Sequence, residues 1–267
     1  MARIAVAATA PFGADILERL ARRHEVVTVL TRPDAPRGRG RKLAPPPAKV
    51  VAEKLQIPVL QPERLASDVC IHSHHLDAVV VAAYGLLIPE SLLEEPLWLN
   101  VHPSLLPRWR GAAPVERSIM AGDAETGVTI HETVKELDAG PIAAQRAFEI
   151  GADDDAGAVF ARAAEVAVEL IEDVLPKPEF RPQPEEGVTY AEKITAADRE
   201  LDLSRPAVEV HNRVRALSPH IGARAAIDGR RLTVWRTRVV DGELELLEVQ
   251  PEGRRRMTYA EYLRGLR

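Results

Sequence analysis

Asn100 and His102 stand one residue apart in "LNVHPSLLPRWRG", at the point where an apolar run stops. On an extended strand this spacing sets both side chains on one face. The amide offers a neutral N–H donor suited to a developing oxyanion. The imidazole titrates near neutrality and can carry a proton. Asp138 follows in "KELDAGPI", ahead of Gly140 and Pro141, in a turn-forming context. A carboxylate beside an imidazole favours its charged form and orients it. Together the three residue types suit transfer of an acyl or formyl group through a tetrahedral intermediate. An amine acceptor would remove the need for a nucleophilic side chain. Each residue also has a plain structural reading: Asn100 as a strand-end turn residue, His102 as a hydrogen-bonded loop histidine, Asp138 as a turn former. Spacing alone leaves both readings open. Ser104 lacks the G-x-S-x-G surroundings of an activated serine.

The elements that must position these residues alternate. "RIAVAA", "EVVTVLT", "IPVLQP", "LDAVVVAAYG" and "LWLNVH" are strand-like runs, and "GADILERLARR" and "PAKVVAEKL" have helical periodicity between them. The fourth run is apolar nearly throughout, as expected of a parallel strand buried on both faces. The alternation predicts an α/β fold with a doubly wound, mainly parallel sheet. Ligands in such sheets bind at the carboxyl ends of strands, where Asn100 and His102 fall. "GVTIHETV" and "GPIAAQRAFEI" read as a hairpin added to the sheet. A long helix follows, with Asp153, Asp154 and Asp155 at its start as capping residues. "PKPEFRPQPEEG" reads as a linker or strap. Beyond it, "SRPAVEVHNRVRAL" predicts a helix with Ser204 as cap and Pro206 in the first turn. The end is β-like, with Asp228-Gly229 as a hairpin turn, and "TYAEYLRGL" closes the chain as a helix.

The chain has 267 residues, 46% of them hydrophobic, enough for a sizeable core. Its formal charge of −5 excludes a chain that is basic throughout. Any nucleic-acid contact must come from local clusters of Lys and Arg. The single cysteine, Cys70, excludes an intramolecular disulfide and a thiolate metal cluster. Cys70 with His72, His74 and His75 lacks a second ligand pair at zinc spacing, and no metal is expected. The first residues lack the apolar core of a signal peptide, and no run approaches the length of a membrane span. A monomeric cytoplasmic protein without membrane contact is expected.

The segment "LNVHPSLLPRWRGAAPVERSIMAGDAETGVTIHETVKELDAGPI" resembles the signature region of the folate-dependent formyltransferases. The resemblance extends to "RPDAPRGRGRKLAPPPAKVVAEKLQIPVLQPERL", "VVVAAYGLLIPESLLEEP", "VTYAEKITAADRELDLS" and the C-terminal "LTVWRTRVV". It implies that Asn100, His102 and Asp138 are the catalytic set. It implies 10-formyltetrahydrofolate as donor and the α-amino group of methionyl initiator tRNA as acceptor. It places the folate beside Tyr84, Gly85, Leu86, Leu87 and Ile88 and beside Ser104, Leu105, Leu106 and Pro107. It implies a catalytic domain over 1–183, a linker over 184–203 and a small OB-like β-barrel over 204–267. The barrel is short for its kind, with strands missing between "VWRTRVVDGE" and "LELLEVQ". The first βα turn, "AATAPFG", has Ala8 and Ala10 where the family has other small residues.

Arg37, Arg39, Arg41 and Lys42 alternate with glycines in "TRPDAPRGRGRKLAPPP", fenced by prolines. By composition this is a solvated surface loop. By resemblance it enters the acceptor-stem region of tRNA, where contacts to phosphates are expected. An N-formyltransferase for an amino-sugar nucleotide, or a non-catalytic folate- or RNA-binding descendant, are the rival readings. A small sugar acceptor has no need of the long Gly-Arg loop, and the intact Asn-His-Asp set argues against a non-catalytic chain.

Overall fold

The structure, a computed structural model, describes residues 1–37, 40–65 and 75–266. These pack as two compact units. One takes in Met1–Arg110, Gly127–Ala147 and Ala161–Val188, the other Gly111–Thr126, Phe148–Phe160 and Thr189–Arg267.

The elements run β1 (Arg3–Ala8), α1 (Pro11–Leu20), β2 (Glu25–Leu30), β3 (Ala35–Arg37), β4 (Lys42–Ala44), α2 (Pro47–Lys54), β5 (Val59–Leu60), β6 (Ala78–Ala82) and β7 (Trp98–His102). The two-residue β8 (Arg110–Gly111) precedes α3 (Pro114–Ala121), β9 (Glu125–Glu132), β10 (Ile142–Glu149), α4 (Ala156–Val174) and β11 (Tyr190–Ala191). The chain ends with α5 (Ala207–Leu217), β12 (Ala223–Ile227), β13 (Arg230–Val240), β14 (Glu243–Pro251), β15 (Met257–Thr258) and α6 (Tyr259–Arg264).

The central sheet has the order β10-β9-β7-β6-β1-β2-β5. β1 lies parallel to β2 and β6, β6 to β7, and β2 to β5, while β9 runs antiparallel to β7. The doubly wound, mainly parallel sheet expected from the alternation is therefore present. Ile4 to Ala8 on β1 are fully buried, which is why these strands carry apolar side chains on both faces. Ala5, Ala7, Val79, Val81 and Trp98 form one core layer with Leu30, Leu92 and Tyr84, and the Trp98 indole N–H donates to the Leu92 carbonyl at 2.6 Å.

The first βα turn closes without special glycines at Ala8 and Ala10. The amides of Thr9 and Ala10 both donate to the Ala83 carbonyl, at 3.2 and 3.3 Å, just past the end of β6. Pro11 then starts α1 with its φ already helical and no amide to leave unpaired. Gly13 is required there: a Cβ would lie 2.2 Å from the Ala82 carbonyl oxygen.

In the other unit, the antiparallel sheet β12-β13-β14-β15 packs Ala223, Ala225, Leu232, Val234 and Val249 with Val214 and Leu217 of α5 and Tyr262 of α6. Asp228 and Gly229 both have positive φ, at 50° and 72°, and make the expected hairpin turn. Asp241 and Gly242, at 51° and 83°, make a second one. β13 thus passes straight into β14, and the shortening anticipated at that point is a two-residue turn. The start of α4 is capped as expected, by Asp155 Oδ1 accepting from the Ala158 amide at 2.9 Å. The start of α5 is not. Ser204 Oγ donates to Asp202 Oδ1 at 2.6 Å, and Pro206 occupies the cap position with no side-chain bond to the helix. Asp202 competes for the hydroxyl within a tight turn, which the sequence pattern does not reveal. α6 has a full capping box from Thr258 and Glu261.

Candidate active site

Asn100 and His102 leave the carboxyl end of β7 on one face, as their spacing predicts. Register with β9 sets His131 directly opposite Asn100 and Thr129 opposite His102. Cross-strand partners share a face, so His131 joins the pair. Asp138 enters from the β9–β10 connection. Asn100 Nδ2 donates to Asp138 Oδ1 at 3.1 Å. Asp138 Oδ2 lies 3.6 Å from His102 Nδ1, and Oδ1 lies 3.7 Å from His131 Nε2. The three residues named from the sequence are brought together, and His131 of β9 stands with them.

Burial sets the electrostatics. His102 and Asp138 are only 4% and 8% exposed. Burial pushes the His102 imidazole below its usual range, and Asp138 and the Trp109 carbonyl pull it partly back. The Nε2–H of His102 donates to the Trp109 carbonyl at 2.8 Å. A carbonyl only accepts, so in the neutral ring Nδ1 is the bare nitrogen, turned to Asp138.

The loop after His102 is stiff because its polar groups are tied down. Ser104 is fully buried, its hydroxyl donating to the Arg108 carbonyl at 2.7 Å. Thr129 Oγ1 donates to the Ser104 carbonyl at 2.7 Å and accepts from the Leu106 amide at 3.1 Å. Gln145 Nε2 reaches the Leu106 carbonyl at 2.9 Å. Leu105 lies against Gly127, where a Cβ would come within 2.4 Å of its side chain. Leu106 is buried and Pro107 half-buried.

Asp138 is held by its backbone as well. Its φ of 49° is in the left-handed region, which Asp tolerates better than most residues. Gln183 Nε2 donates to the carbonyls of Asp138 and Gly140, each at 2.8 Å. Arg110 fixes that amide by donating to Gln183 Oε1 at 2.6 and 3.1 Å. Gln183 is the one glutamine of the proline-rich stretch read as a linker, and nothing in that pattern marks it as structural. Gly140 presses on β9, and a Cβ there would lie 1.8 Å from the Glu132 carbonyl oxygen. Gly140→Ala is expected to cost about 1–3 kcal/mol of stability in denaturant unfolding, because backbone, not a flexible side chain, must yield.

The segment after β6 lies next to this strand end, since Val81 pairs with Asn100. Tyr84 is buried in the core layer, with Leu86 and Ile88 packed against it. Gly85 takes a φ of 78°, and Leu87 is 83% exposed. On the β3–β4 ribbon, Arg37 pairs with Lys42, and Arg41 and Lys42 are exposed. Arg39 lies outside the described residues, as do Cys70, His72 and His74. Asp34 braces the ribbon's base, accepting from Lys49 Nζ at 2.9 Å and Gln61 Nε2 at 2.8 Å. Among the described residues no cluster of His, Cys, Asp or Glu could hold a metal ion, and no helix is long and apolar enough to cross a membrane.

The end of β7 thus gathers an amide, an imidazole and a carboxylate on a doubly wound sheet. Residues 2–175 match the formyl transferase family and residues 193–245 the formyl transferase C-terminal domain, and the chain belongs to this family of transferase enzymes. It is 43% identical over 291 residues to the methionyl-tRNA formyltransferase of Paracoccus denitrificans, covering 99% of this chain and 97% of that one. The solved methionyl-tRNA formyltransferase from Clostridium thermocellum shares the fold, at a TM-score of 0.66 and 16% identity over 94% of this chain and 99% of that one. So does the N-formyltransferase from Helicobacter canadensis, solved with folinic acid and dTDP-3-aminofucose, at 0.66 and 17% over 90% and 89%. The fold is common to both, so it does not choose between their acceptors.

Proposed function

We propose that this chain transfers the formyl group of 10-formyltetrahydrofolate to the α-amino group of methionyl initiator tRNA. The acceptor is argued from the 43% identity to the Paracoccus enzyme over nearly the full length of both chains. The chemistry is argued from one observation above others: Asn100, His102 and Asp138 converge at the end of β7, with the amide and the imidazole each turned to one carboxylate.

The amine attacks the formyl carbon, a C–N bond forms, and the carbonyl π pair moves onto oxygen. Asn100 spends one amide hydrogen on Asp138, and its second is available to the oxyanion. Collapse restores the carbonyl and breaks the bond to the folate nitrogen. The proton lost by the attacking amine goes to that leaving nitrogen through His102 or a water. Asp138 balances the imidazolium formed on the way, offsetting the burial that opposes it. The donor folate is assigned to the segment Tyr84–Ile88 and the loop 104–107, on either side of the strand end.

The deciding assay supplies 10-formyltetrahydrofolate with methionyl-tRNA in one arm and an amino-sugar nucleotide in the other. Formyl-methionyl-tRNA is the expected product. Formylation of the sugar alone would overturn the acceptor, and transfer to neither would overturn the activity.

The RNA is assigned to the basic segment 37–42 of the sequence, with Arg37, Arg39, Arg41 and Lys42. Neutralising Arg39 and Arg41 together is expected to raise the KM for tRNA and to flatten its dependence on salt by about two phosphate contacts, with folate KM unchanged. A salt slope equal to wild type would remove this segment from the interface.

A further inference from the structure

Two residues meet the His102 ring, one at each nitrogen. The Trp109 carbonyl accepts from Nε2–H, and Asp138 Oδ2 lies 3.6 Å from Nδ1. Both residues sit in the left-handed region, Trp109 at a φ of 64° and Asp138 at 49°. A bulky side chain rarely takes that conformation, and it persists only where its surroundings fix it. One side chain connects the two places. Gln183 Nε2 donates to the Asp138 and Gly140 carbonyls, and Gln183 Oε1 accepts from Nε and Nη2 of Arg110, the residue that follows Trp109. Both amide hydrogens and both lone pairs of the oxygen are thereby used. The orientation admits no reversal, because a turned amide would set its oxygen against two carbonyls and its hydrogens against a guanidinium. Asp138 and Gly140 present two carbonyls to one nitrogen, which a side chain with a single donor could not satisfy. The backbone of Gln183 is anchored as well, since Arg181 exchanges two hydrogen bonds with Ile142 of β10. All these residues belong to one compact unit.

We propose that Gln183 is a positioning residue for formyl transfer: paired with Arg110, it ties the turn carrying Asp138 to the loop carrying Trp109, and so fixes the carboxylate against the His102 ring. The inference rests on the reading of Asn100, His102 and Asp138 as the catalytic set. A reacting group displaced by about 1 Å can cost as much as 10²-fold in rate, which is the scale on which such a tie matters.

Steady-state transfer by the full chain tests it. Gln183→Met, which keeps the length of the side chain and loses all four bonds, is expected to lower kcat about tenfold, with the folate KM changed less than about threefold. Arg110→Met is expected to do the same by releasing the amide. Arg110→Lys, which returns one charged donor to Oε1, is expected to recover part of that loss. The two Met substitutions together are expected to cost little more than either alone, since each breaks the same link. In an Asp138→Asn background, where the charge is already gone, Gln183→Met is expected to cost about twofold or less. A full tenfold loss in that background, or wild-type kcat in folded Gln183→Met, would overturn the proposal. Nitrogen-15 spectra of the wild-type chain need no variant. Both side-chain amide protons of Gln183 are expected to exchange slowly with solvent, and exchange as fast as in a free glutamine would remove the clasp. A wild-type chain that formylates no acceptor would instead sink the functional reading, and the spectra would still decide whether the clasp exists.

Discussion

Asp138→Asn is expected to lower kcat/KM for formyl transfer by about 10³-fold with little change in the unfolding midpoint. The substitution isolates charge from shape. Asn tolerates the left-handed backbone that position 138 adopts, and its side-chain oxygen can still accept from Asn100 Nδ2. The carbonyl of residue 138, held by Gln183, is untouched. The negative charge 3.6 Å from His102 Nδ1 is lost. Without it, only the Trp109 carbonyl still opposes burial, and the charged form needed during proton transfer becomes costly. A carboxylate orienting a catalytic histidine elsewhere is worth about 10⁴-fold. The contact here is longer than a hydrogen bond, which argues for a smaller figure. Ala at the same position would confuse matters by straining the backbone. Steady-state transfer measured beside thermal unfolding gives the answer, and a loss under tenfold would remove the charge from the reaction.

Asn100→Ala carries the second large effect. A well-aimed oxyanion donor contributes about 3 kcal/mol to the transition state, so turnover is expected to fall by roughly two orders of magnitude. The loss is expected in kcat, with KM for the folate nearly constant, because the oxyanion exists only after attack. The truncation also takes a hydrogen bond from Asp138 Oδ1. Asn100→Asp separates the two effects: it keeps the volume and reverses the electrostatics, and is expected to be at least as poor as Ala. Turnover within a fewfold of wild type in the Ala variant would count heavily against the amide's role.

The central sheet was legible because its signals are local. Five apolar strand runs separated by helical periodicity admit few topologies, and the observed order is one of them. Asn100 and His102 were legible because strand alternation fixes their common face. Asp138 was legible as a turn residue, but its meeting with His102 came only through the resemblance, since no local rule spans the distance between them. His131 escaped because its place beside Asp138 depends on register: only the pairing of β7 with β9 sets it opposite Asn100. Gln183 escaped for a harsher reason. Its contacts are to main-chain carbonyls, and a lone glutamine among prolines and charges carries no periodic signal. Ser204 misled in the same way, since a neighbouring carboxylate took the hydroxyl that a cap would have used.

The short return of the chain past α4 bears on where this protein can be cut. Arg181 exchanges two backbone hydrogen bonds with Ile142, at 2.7 and 2.9 Å, and so extends the edge of β10 before Gln183 grips the turn beneath Asp138. A fragment trimmed at Leu175 retains every strand of the central sheet yet lacks the clasp that sets the aim of the carboxylate. A shortened version that keeps the backbone beneath Asp138 in place must run beyond Gln183.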